Sequence, residues 1–135
     1  VSPLFFKKRN LQKEESVVIK KENRRKAFRI PLYRHACNFM IPSIAITSTG
    51  TIKDISATGM KLIACEDLPD DDSMEVHLSF QLENTPFQFI GKVARKEQTD
   101  HDDFEYGIEF VHSDEKTEEQ LFSIIWKLSL QRATI

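Results

Sequence analysis

Apolar residues recur at every second position in several short stretches of this chain, and that period of two restricts most of it to β-strands. Over residues 27–40, Phe28, Ile30 and Leu32 alternate against Arg29, Pro31 and Tyr33, which predicts a first strand. A second is predicted over 44–55, with a candidate turn at Thr49-Gly50, and a third over 59–64, the DISATG segment forming the turn between them. The acidic cluster over 67–73 reads as a loop, and 74–82 alternates as a strand. Glu83-Asn84-Thr85-Pro86 predicts a turn into a strand over 87–96, with Phe87, Phe89, Gly91 and Val93 on one face. Residues 100–103 connect to a last strand over 104–111. Six or seven short antiparallel strands with turns at this spacing indicate a mainly β fold, a small barrel that leaves fewer exposed edges than an open sheet.

The period then changes. Leu121, Ile124, Ile125 and Leu128 follow the i, i+3, i+4, i+7 spacing of a helix stripe, entered through Thr117, Glu118 and Glu119. Acidic residues in the first turn, with Lys127 and Arg132 near the end, suit the helix dipole. The helix is expected to set Phe122 or Trp126 against the barrel core. With 135 residues, 40% hydrophobic and 30% charged, the chain has material for one core. No apolar run has the length of a membrane span, and no signal peptide is visible, so a cytoplasmic location is expected. The first residue is Val, which points to a piece of a longer protein or its cytoplasmic part. Cys37 and Cys65 are read as two reduced, mostly buried thiols.

Charge is distributed unevenly. Residues 1–29 carry ten basic and three acidic residues, a net +7, and the remainder nine basic against eighteen acidic, a net −9. A positive arm on a negative body is steered to polyanions, to anionic lipid or back onto its own barrel. Residues 1–21 read as a basic linker or the end of an upstream region, and 22–132 as the folded domain. Three arginines, Arg24, Arg25 and Arg29, fall within six residues, each a planar, permanently charged fork suited to phosphate oxygens and to the O6/N7 edge of guanine. About 25 residues later Asp54, Ser56 and Gly59 supply a carboxylate that accepts from a guanine N–H, a hydroxyl, and a glycine that permits close backbone approach. The two halves together point to a phosphorylated, purine-containing ligand.

RxxxR at residues 25–29, followed after a hairpin by DxSxxG at 54–59, resembles the PilZ domain, the bacterial receptor module for cyclic di-GMP. EYGIEFV at 105–111 is similar to that family's last strand, and residues 121–132 to its closing helix. The resemblance implies closure of the barrel and a C-terminal α-helix. It implies that Arg25 and Arg29 grip phosphates and guanine edges, and that Asp54 and Ser56 hold a guanine while Gly59 shapes the turn beneath it. Arg24, directly before the motif, implies two stacked ligand molecules per domain, and Asn23 and Arg95 are further candidates for peripheral ligand contacts. Binding would order the arginine segment and relay to an attached domain or partner, with outputs in motility, biofilm formation and exopolysaccharide synthesis.

Sequence motifs for catalysis are missing: there is no GxSxG, GxxxxGK(S/T), HExxH or GxGxxG, and His35, His77, His101 and His112 are isolated in sequence. An enzyme, a cofactor and a metal site are therefore not expected, and the acidic tracts at 70–72 and 100–103 read as solvated turns. Two alternatives stand beside the receptor. One is a PilZ-like adaptor that contacts a protein and binds no nucleotide. The other is a barrel for single-stranded nucleic acid, which needs a positive groove with stacking aromatics; Phe28, Phe80, Phe87, Phe89 and Phe110 instead read mainly as core, and the acidic body opposes such a groove.

Overall fold

The computed structural model describes residues 27–133. They form six strands and one helix: β1 (Ile30–Ile41), β2 (Ile46–Ile55), β3 (Gly59–Ala64), β4 (Val76–Leu82), β5 (Thr85–Gln98), β6 (Phe104–Val111) and α1 (Glu115–Ala133). All strand pairs are antiparallel, and the order β1-β2-β3-β6-β5-β4 closes on itself through three pairs, Asn38 with Ser79, Phe39 with Leu78 and Met40 with His77. Alternating inward residues fill the interior, among them Phe39, Ile52, Met60, Leu62, Leu78, Tyr106 and Ile108. Of the rings expected inside, Phe80, Phe87 and Phe89 are buried, whereas Phe28 and Phe110 are half-buried. No helix of the described residues is long and apolar enough to cross a membrane.

Several boundaries differ from the sequence reading. There is no turn at Thr49-Gly50: β2 runs straight through, and a Cβ on Gly50 would stand 2.7 Å from the Ile63 carbonyl oxygen. The glycine marks close strand approach, so the strands number six. The hairpin at 83–86 is tighter than expected, with only Glu83 and Asn84 outside the strands, at φ 52° and 61° as a type I′ turn requires. In β1 the inward positions pass from Ile30 to Cys37, Phe39 and Ile41, a change of parity made possible by a register shift between Pro31 and His35, where Arg34 has φ 50°.

Helix α1 lays Leu121 and Ile125 into the barrel core, and of the two candidate rings it is Phe122 that is buried, while Trp126 is half-exposed. Trp126 stacks on Phe122 and meets Phe28 edge-on, 5.5 Å between centroids. Arg132 donates to the Pro31 carbonyl, tying the end of α1 to the start of β1. Cys37 is buried as expected, but Cys65 is exposed, because it lies just past the end of β3 where the chain leaves the barrel.

Candidate functional site

Strand β1 begins at Ile30, so Arg29 stands at its threshold, 43% exposed, and its Nη1 donates to Asp54 Oδ1 at 2.6 Å. Asp54 reaches the outer wall through a β-bulge. The β2–β3 register shifts between Ile52 and Asp54, so Lys53 and Asp54 both lie outside while Ile52 and Ile55 stay buried. Its second oxygen, Oδ2, lies 3.9 Å from Lys61 Nζ. One carboxylate thus sits between two cations, and the cluster retains a net positive charge suited to an anion.

The turn after Asp54 is held by its own polar atoms. Ser56 N–H donates to the Gly59 carbonyl at 2.8 Å, Thr58 N–H donates to Ser56 Oγ at 3.2 Å, and Ser56 Oγ donates to the Gly59 carbonyl at 3.3 Å. Ser56 is fully buried, so its hydroxyl fixes the turn from within. The Phe110 N–H donates to the Thr58 carbonyl at 2.8 Å, pinning the turn to β6. Gly59 opens β3 opposite Glu109 with an ordinary negative φ. Its requirement is space, since a Cβ there would stand 2.3 Å from the Ile108 carbonyl oxygen.

The structure therefore brings Arg29, Asp54 and the DISATG turn together. Arg95 belongs to the same outer face, because the register runs in one row from Pro31 to Asp54, Lys61, Gly107 and Arg95. Asn23, Arg24, Arg25 and the boundary expected at residue 21/22 lie outside the described residues. Lys61 and Gly107 were missed by sequence reasoning. The signal for Lys61 was its outward parity in β3, two residues after Gly59, but only the pairing shows what stands beside it. A groove of about 550 Å³ lies on the β1–β4–β5 wall and includes none of Arg29, Asp54, Ser56, Gly59 or Lys61. The polar groups of Arg29, Asp54 and Lys61 converge at the charged row and not in that groove. Among the described residues no group of three or more His, Cys, Asp or Glu is placed to hold a metal ion.

No curated protein sequence matches this chain. Among solved structures, the PilZ domain of CeSA from a cellulose-synthesizing bacterium aligns with a TM-score of 0.60 at 14% identity, covering 76% of this chain and 99% of that one. YcgR from Escherichia coli, solved in complex with c-di-GMP, aligns at 0.65 and 17% identity, covering 79% of this chain and 46% of that one. The Bacillus subtilis inhibitor of motility aligns at 0.62 and 14% identity, covering 76% and 50%. The chain thus spans about half the length of the latter two, and at these identities the likeness concerns the fold. A protein-family model for the PilZ domain matches residues 23–125, about three quarters of the sequence, and this chain belongs to the PilZ domain family.

Proposed function

We propose that this chain is a receptor for cyclic di-GMP, with no catalytic role, that binds the ligand along the outer row at Arg29, Asp54 and Lys61. The observation that carries the reading is the Asp54 carboxylate, lifted outward by a bulge and bracketed by Arg29 and Lys61. Guanine offers N1–H and N2–H donors on one edge, which a carboxylate accepts, whereas adenine offers no matching pair. Phosphate oxygens match the planar donor forks of Arg29, Arg25 and Arg24. Ser56 and Gly59 act by fixing the turn and the strand spacing that hold Asp54 in place. Solved relatives support the ligand class: E. coli YcgR is seen in complex with c-di-GMP.

On this reading the ligand draws Arg24 and Arg25 onto the barrel and moves whatever precedes them, which is how an attached domain or a partner protein senses occupancy. Control of motility, biofilm formation or exopolysaccharide synthesis is the output class. Arg24 adds a third fork and supports two stacked ligand molecules per domain. A binding panel of cyclic di-GMP, cyclic di-AMP, GTP and a mixed single-stranded oligonucleotide, each at two salt concentrations, tests the reading. Saturation by cyclic di-GMP with little response to the other three supports it. Oligonucleotide binding that collapses with salt supports the nucleic-acid barrel instead, and silence toward every ligand from folded protein supports the protein adaptor.

A further inference from the structure

Of the large apolar side chains left exposed among the described residues, Tyr33, Trp126 and Leu130 are linked at one end of the molecule. Leu121 and Ile125 anchor α1 in the core, and Leu130, nine positions after Leu121, points to the opposite side of the helix. Trp126 lies one turn before Leu130 and meets Phe28 edge-on, so the chain enters the barrel beside it. The bond from Arg132 to the Pro31 carbonyl brings the end of α1 to the irregular stretch of β1 between Pro31 and His35. There Tyr33 stands 80% exposed, with the Arg34 guanidinium 5.1 Å from its ring centroid. Cations accompany the rings, since Arg34, Lys127 and Arg132 are all exposed. The sequence that leads into this end, residues 1–26, carries nine basic and three acidic residues. Carboxylates are concentrated elsewhere. Every strand pair is antiparallel, so the loops with Asp70 to Asp72 and Asp100 to Asp103 open at the mouth opposite the start of β1. Glu115, Glu118 and Glu119 occupy the other end of α1.

We infer that this end of the molecule, Tyr33 with Arg34 and the C-terminal half of α1 at Trp126 and Leu130, is a docking face for an anionic lipid surface. It goes beyond the nucleotide reading and does not depend on it. Tryptophan and tyrosine rings suit the headgroup layer, with an apolar body toward the acyl chains and a polar tip toward water. Lysine and arginine beside them lay their stems along the apolar boundary and reach lipid phosphates with their heads. A protein groove for an apolar stripe would be indifferent to the sorting of charge along the molecule. An anionic surface attracts the aromatic, cationic end and repels the acidic mouth, which also orients the barrel above it. Few apolar side chains enter, so the contact is shallow and depends on the summed charge of the face and of the residues that lead into it.

The test follows the emission of Trp126, the only tryptophan of the chain, as the whole protein is titrated without nucleotide into vesicles. The vesicles are phosphatidylcholine alone or with about one third phosphatidylglycerol, each with and without brominated acyl chains. A blue shift and quenching by the brominated lipid are expected with the anionic vesicles only. Leu130→Glu and Tyr33→Ser alter exposed positions, and urea midpoints check that both variants fold as wild type does. They are expected to weaken vesicle affinity about tenfold or more and about threefold or more, respectively. Vesicle binding that leaves Trp126 emission unchanged and is insensitive to Leu130→Glu would overturn the face and leave the basic residues 1–26 as the sole contact. Equal binding to neutral vesicles would overturn the anionic choice. Absence of vesicle binding would overturn the inference too, and self-association lost in Leu130→Glu would then make the stripe an interface between copies of this chain. Because no nucleotide is present, none of these failures touches the receptor reading.

Discussion

Replacing Gly59 by alanine separates two roles that a motif glycine can have. The added methyl would stand 2.3 Å from the Ile108 carbonyl oxygen, a backbone atom in a paired strand, and cannot be relieved by a side-chain rotation. Restoring ordinary contact needs a shift of about 1 Å between β3 and β6, next to Met60 and Ile108, which are both in the core. Overpacking of this kind costs about 1 to 3 kcal/mol. With a urea m-value of about 1.5 kcal/mol/M, the unfolding midpoint should fall by about 0.7 to 2 M. The assay is urea denaturation followed by far-ultraviolet circular dichroism, without ligand. An unchanged midpoint, together with lost cyclic di-GMP binding, would refute the reasoning, for it would mean that Gly59 serves the ligand directly and the strands absorb the methyl freely.

Tyr106→Phe removes the hydroxyl that donates to the Glu66 carbonyl at 2.6 Å and accepts from the Leu68 N–H at 2.8 Å, and it should cost about 1 to 3 kcal/mol in the same denaturation experiment. Burial pushes the Cys37 thiol up to about 11 from 9.0, so the unfolded chain ionises first and stability should decline as pH rises from about 9 to about 11; Cys37→Ala should flatten that decline. In native protein a thiol reagent should modify Cys65 rapidly and Cys37 only on unfolding, and two fast thiols would contradict the burial of Cys37. Asp114 caps α1 by accepting from the Thr117 N–H at 2.6 Å, a bond that holds its carboxyl below 3.8. Asp114→Ala should therefore lower the melting temperature at neutral pH, with the difference shrinking as acid titrates the wild-type carboxyl through its lowered value.

Where local chemistry decides structure, the sequence could be read closely. Strands β3 and β6 match their expected bounds, since each is a clean alternation ended by turn residues. The stripe Leu121 and Ile125 enters the core because a period of 3.6 admits no other inward face. Errors arose where backbone irregularity or contact between distant strands takes over. The Pro31–His35 shift reverses the parity of β1 without any glycine to announce it, and Gly50, which looked like a turn, is a point of close strand approach. At the site, Arg29, Asp54 and the turn could be found from their chemistry, but Lys61, Gly107 and the place of Arg95 depended on register across four strands. Ser56 shows a subtler limit: its residue type does not reveal that its hydroxyl is spent inside the turn.

Cyclic di-GMP titrated by calorimetry into wild type and Asp54→Ala tests the central claim most directly, because charge and base recognition give opposite signs. Removing the carboxylate frees Arg29 and Lys61 and makes the row more positive, so simple anion attraction would hold or tighten binding. Recognition of guanine donors by Asp54 predicts saturable wild-type binding and a loss of about tenfold or more in Asp54→Ala. Equal or tighter binding by Asp54→Ala, or no binding by folded wild type, would contradict the account.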